Sequence, residues 1–224
     1  MKRSLTRVLL AAAAAALVFS PAAAVDAEWF GGLRLSDGDR NYLSITAAHF
    51  GRDHHEADDL ARRMKNPGDD LPVLLFLAAE SGRSPRYILD LRLSGLSWWG
   101  IRARLGVAPE RIVMALPRDP GPPYGKAWGH YRNKGKRRST TREVVLSDAE
   151  ISDWVGARVV SRTFDVEISV VLGARAEGRS LGEVVNHQKR NKGAGHGKSP
   201  AAAKPQARNK GKGKGRSNGA KGGR

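Results

Sequence analysis

The sequence predicts an all-α fold: a small helical domain with an internal, unequal duplication, followed by a disordered basic carboxy-terminal tail. Three observations carry that expectation. Ser-x-x-acid capping boxes open the apolar-periodic segments, and Gly or Pro punctuates those segments at helical lengths. Strand signals are nearly absent, Val144-Val145-Leu146 being the only short candidate.

The elements follow in chain order. Ser36-Asp37-Gly38-Asp39 is a capping box, after which Leu43, Ala47 and Phe50 share one helical face. Asp53 to Asn66 reads as a polar amphipathic helix stopped by Pro67. Asp70 opens a run from Leu71 to Ala79 that is apolar on every side, as a central buried helix is. Ser84-Pro85 is an N-cap with Pro at the first helical position, and Gly95 ends that helix. Trp98 to Leu105 and Pro109 to Leu116 read as two short helices separated by Gly106. Ser147 to Glu150 and Ser180 to Glu183 are further capping boxes, the first followed by Ile151, Trp154, Val155 and Val159 on one face.

Two echoes suggest the duplication. Leu35-Ser36-Asp37 returns as Leu146-Ser147-Asp148, and Arg92 to Ser97 returns as Arg175 to Ser180, each of these with Gly to end one helix and Ser to cap the next. The first echo is offset by 111 and the second by 83, which assigns 28 extra residues to the first copy. The expected organisation is a secretory leader (1–27), a first repeat (28–117), a basic aromatic, Pro- and Gly-rich linker (118–145), a second, shorter repeat (146–190) and the tail (191–224).

The chain has 39 Lys plus Arg against 22 Asp plus Glu, a net charge of +17. Its distribution is uneven. Residues 28–117 are neutral, 118–142 carry +7, 143–186 carry −4 and 187–224 carry +12. The tail is Lys–Gly low complexity without large apolar residues, so it cannot bury enough surface to offset its ordering entropy. No cysteine is present, which excludes disulfides, Cys-based zinc sites, thiol nucleophiles and a lipoprotein anchor. Lys2, Arg3 and Arg7, the apolar run Val8 to Phe19, and the small residues around Ala24 and Ala27 have the order of a secretory leader. The apolar run is shorter than the roughly 20 residues a spanning helix needs. The expected mature chain is exported (periplasmic or secreted), soluble, without a transmembrane segment, and starts near Val25 or Glu28.

Three stretches could carry chemistry. Gly95 to Ile101 leading to Leu105-Gly106-Val107 and Pro109 to Val113 resembles the helix-turn-helix of bacterial DNA-binding domains. Arg111 is the one side chain there suited to a base edge or a phosphate; the competing reading packs the pair through Trp98, Ile101, Leu105 and Ile112. His49, His54, His55, Glu56, Asp58 and Asp59 form a polar cluster, but His54 and His55 point in different directions, so no metal ligands are assigned. Tyr124, Trp128 and Tyr131 alternate with Gly and cations. They either stack bases or sugars, or pack as a bridge between the repeats. No nucleophile elbow, phosphate loop or paired-carboxylate arrangement can be singled out, and no cofactor is expected.

The leader, the Gly-x-Ser-Trp-Trp segment, the Pro122 to Tyr131 stretch and the shorter second copy together resemble small exported bacterial helical proteins of unknown function, over residues 33–190. That resemblance implies an exported helical protein and no catalytic residue. The expected function is non-enzymatic binding of a polyanion: anionic lipid, lipopolysaccharide, acidic glycan or nucleic acid. Lys126, Arg132, Lys134, Lys136, Arg137 and Arg138 of the linker and Lys210, Lys212, Lys214 and Arg216 of the tail would supply the charge. The alternatives are an intracellular nucleic-acid-binding protein whose leader is misread, and an envelope metal-binding protein.

Overall fold

A computed structural model describes residues 29–113, 116–132 and 144–194. Nine α-helices and no strand occur among them. Ser36 caps α1 (Asp37–His49), its hydroxyl accepting from the Asp39 amide at 3.1 Å. Asp53 caps α2 (His54–Arg62) in the same way. α3 (Pro67–Ser81) begins three residues before the expected Asp70. Pro67 does not stop α2; it occupies the first turn of α3, where a missing N–H breaks no helical bond. The apolar run of α3 is buried from Leu71 through Ala78.

Ser84 caps α4 (Pro85–Leu93), Gly95 turns the chain at φ 90°, and Ser97 caps α5 (Trp98–Arg104). The helix expected from Pro109 to Leu116 is replaced by a single 3-10 turn, Pro109–Arg111. The supposed linker contains a helix, α6 (Gly125–Arg132). Gly125 and Gly129 weaken its intrinsic propensity, and buried rings hold it instead. Tyr124 packs edge-on against Trp154 at 5.9 Å between centroids, and the Tyr131 hydroxyl donates to the Val144 carbonyl at 2.6 Å. Val144-Val145-Leu146 forms no strand, with Val145 exposed and Leu146 buried.

α7 (Asp148–Phe164) opens on a complete capping box between Ser147 and Glu150. α8 (Ile168–Ala176) and α9 (Leu181–Ala194) follow, joined through Gly178 at φ 85°. α3 packs along α7 at the centre, and α1 packs on α9. The latter approach is close: a Cβ on Gly38 would come within 2.6 Å of the Gly182 carbonyl oxygen.

The duplication is real at the level of helices, but its register differs from the expected one. α3 ends at Ser81, α4 spans Pro85–Leu93 and α5 begins at Trp98; α7 ends at Phe164, α8 spans Ile168–Ala176 and α9 begins at Leu181, each 83 residues later. The echo offset by 111 pairs α1 with α7 and falls outside this register. The first copy therefore has no 28-residue insertion; α1 and α2 stand before it. Gly82 and Asp165 even share the left-handed conformation after α3 and α7, at φ 67° and 57°.

Each copy is tied by the same clasp. Arg92 on α4 donates to Asp70 on α3 at 3.1 Å and to the Leu96 carbonyl in the following turn at 3.1 Å. Arg175 on α8 donates to Asp153 on α7 at 2.6 Å and to the Arg179 carbonyl at 2.7 Å. A guanidinium suits this task because its fork reaches a carboxylate and a carbonyl at once.

Candidate functional site

The basic surface expected from sequence is only partly described. Lys126 and Arg132 lie exposed on α6. Lys126 projects its charge into solvent, whereas Arg132 rests over the Trp128 ring at 4.7 Å and donates to the Leu116 and Pro117 carbonyls. Lys189, Arg190 and Lys192 are exposed near the end of α9, where the second basic segment starts. Lys134, Lys136, Arg137, Arg138, Lys210, Lys212, Lys214 and Arg216 lie outside the described residues, as does the leader at 1–27.

The aromatic stacking expectation is corrected. Tyr124 and Tyr131 are buried, at 1% and 6% exposure, and Trp128 is half-buried with its indole N–H on the Leu116 carbonyl at 3.3 Å. Rings of this size are worth more in the core than in water, and these three bridge α6 to the helices around it. The faces of Tyr124 and Tyr131 are not open to bases or sugars, and Arg132 lies over the half-buried Trp128 ring.

The helix-turn-helix resemblance is likewise corrected. α5 is present, but a 3-10 turn stands where a recognition helix would, and Trp98, Trp99 and Ile101 are buried. Arg111 is held by Glu80 through two contacts of 2.6 and 2.9 Å. In the histidine cluster, His54 and His55 pack on Trp29 at 5.5 and 4.4 Å, and Asp58 accepts from Arg62 at 2.8 Å. Burial and the positive charges of Arg162 and Arg158 push the His49 imidazole below the ordinary histidine range, toward its neutral form. Among the described residues no three His, Asp or Glu side chains converge as metal ligands.

Sequence reasoning missed a cleft of about 470 Å3 where the first turns of α1, α3 and α9 meet. Arg34, Asp39, Tyr42, Lys65, Asp69 and Arg175 line it together with several apolar side chains. Behind it runs a polar network. Arg175 lies 3.9 Å from Asp69 and holds Asp153, which also accepts from the Tyr124 hydroxyl at 2.7 Å; Ser152 donates to the Asp69 carbonyl at 3.0 Å. Burial, then the Asp153 carboxylate, pushes the Tyr124 phenol well above the usual tyrosine range, so it acts as a donor. Partial burial raises Asp69 against the opposing pull of Arg175. The signal that could have found this network is the Asp70/Arg92 and Asp153/Arg175 pairs at one constant shift. The cleft itself is assembled from segments more than 100 residues apart, which no local pattern reveals.

The fold and these surfaces define a helical protein built on a duplicated three-helix unit. The chain matches no family model, no curated protein and no solved structure. No helix among the described residues is long and apolar enough to cross a membrane.

Proposed function

We propose that the protein is an exported, non-enzymatic helical scaffold that binds polyanions through two basic segments. The observation that carries this reading is the partition of charge: residues 118–142 hold +7 and 187–224 hold +12, while the rest of the chain past the leader is neutral or acidic. The described beginnings of both segments support it, because Lys126 on α6 and Lys189, Arg190 and Lys192 on α9 are exposed to solvent. Clustered cations on flexible stems attract phosphate, sulfate or carboxylate arrays by charge and by counterion release, with little dependence on sequence or stereochemistry. Outside the cytoplasm such an array belongs to anionic lipid, lipopolysaccharide, acidic glycan or released nucleic acid.

The test has two parts. Intact mass of the native protein from fractionated cells gives the amino terminus; a start near Val25 or Glu28 supports export, and an intact Met1 in the cytosol refutes it. Binding of the purified chain to a mixed-sequence DNA duplex and to vesicles containing phosphatidylglycerol is then measured across salt. Affinity that falls steeply and similarly for both probes fits the proposal; salt-insensitive binding contradicts it.

A further inference from the structure

α9 outlasts the apolar surface that holds it. Its last buried apolar side chain is Val185, yet the helix continues to Ala194. No residue from Asn186 to Lys192 is buried. That stretch reads Asn-His-Gln-Lys-Arg-Asn-Lys: three cations, three side-chain amides and a histidine, with no acid and no apolar residue. Glu183, the last acid in the sequence, is turned back onto the Ser180 amide at 2.8 Å.

Two contacts fix this half of the helix to its neighbours. The Lys189 ammonium donates to the Asn41 side chain on α1 at 2.8 Å, and Lys192 lies over the Phe164 ring at the end of α7 at 5.4 Å. They leave a solvent face to His187, Arg190 and Asn191, which are spaced i, i+3 and i+4 and are all exposed. The Asn191 side-chain nitrogen stands 3.3 Å from Nδ1 of His187, and Arg190 makes no ion pair among the described residues.

The chemistry of this face selects among polyanions. A helix that lies on a membrane sets large apolar side chains beside its cations. The large apolar residues that reach solvent among the described residues, Tyr87, Leu93, Val145 and Val170, are not on α9. Amides, an imidazole and a guanidinium instead offer directed donors and acceptors, the chemistry that meets phosphodiesters and base edges. Size agrees. An α-helix with its side chains is about 10–12 Å across, and the major groove of B-form DNA, about 12 Å wide, admits it. The major groove of double-stranded RNA is too narrow for it.

We infer that the carboxy-terminal half of α9 docks in the major groove of duplex DNA, with His187, Arg190 and Asn191 toward the base edges. The inference rests on the polyanion reading and narrows it to one partner. Charge alone draws the chain to any anionic array, and the end of α9 adds a requirement for shape. Three side chains on a single helix confer preference for the B-form duplex rather than for one sequence.

The experiment measures binding of the full chain, at one salt concentration, to a mixed-sequence DNA duplex, to an RNA duplex of the same sequence and to phosphatidylglycerol vesicles. The DNA duplex binds about tenfold more tightly than either other probe. Asn191→Ala and Arg190→Lys both keep the net charge and a helix former in place. Each weakens the DNA duplex by about fivefold or more, leaves vesicle binding within about twofold and leaves the melting midpoint in place. The amide NMR signals of residues 186–192 shift saturably as DNA is added. Equal affinity for all three probes, full DNA affinity in both variants, or amide signals that stay in place overturn the inference and leave the polyanion reading standing. Absence of salt-sensitive binding to every probe overturns both.

Discussion

The two helix triplets, α3 to α5 and α7 to α9, share a clasp and differ in the ring that completes it. In the first, Trp98 follows the turn directly, and its indole N–H donates to Asp70 at 2.8 Å under the Arg92 guanidinium. In the second, Leu181 occupies the corresponding position and has no donor to offer. Asp153 receives its extra hydrogen bond from Tyr124, immediately before α6. Each arginine also reaches an acid of the other copy: Arg92 bonds Asp148 at 2.6 Å, and Arg175 lies 3.9 Å from Asp69. The comparison explains two things that the sequence left separate. The supposed linker folds because the second copy borrows a ring from it, and the cleft opens beside the copy that carries leucine instead of tryptophan.

The comparison can be broken at the ring, at the clasp or at the surface. Trp98→Ala removes a fully buried ring and its bond to Asp70, and should cost roughly 3–5 kcal/mol in denaturant unfolding. Arg175→Ala leaves Asp153 with Tyr124 alone; because the pair keeps some solvent contact, the expected loss is about 2–3 kcal/mol. Arg92→Ala should cost a similar amount if the copies are energetically as well as geometrically equivalent. A large difference between the two arginines would show that only one clasp matters. Tyr124→Phe removes one hydroxyl from the second copy and should cost about 1–2 kcal/mol. At the surface, Arg111→Ala should cost less than about 1 kcal/mol, since the Arg111 side chain is largely exposed even though its partner Glu80 is half-buried.

What was legible in the sequence was local. The starts of α1, α7 and α9 lie at Ser-x-x-acid boxes, whose bonds span three residues and so leave a direct trace. The turns at Gly95 and Gly178 were readable for the same reason. Pro67 was misread because a proline can end one helix or begin the next, and only packing of the following apolar run decides. α6 was missed because two glycines argued against a helix that tertiary burial of Tyr124 and Tyr131 enforces. The same burial converts an apparent stacking platform into core. The cleft left no trace, because Arg34 before α1, Lys65 before α3 and Arg175 on α8 meet only in the folded chain.

The measurement that bears most directly on the proposed function compares salt slopes of duplex binding for the native chain and two charge-neutralised variants. One replaces Lys134, Lys136, Arg137 and Arg138 with Gln; the other does the same for Lys210, Lys212, Lys214 and Arg216. Four phosphate contacts correspond to a change of about 3.6 in the log–log slope, so each variant should flatten the dependence by up to that amount. The loss should be the same for two duplexes of unrelated sequence, and Arg111→Ala should leave both untouched. Undiminished affinity in both neutralised variants, or a sequence-selective loss on Arg111→Ala, would contradict the proposal.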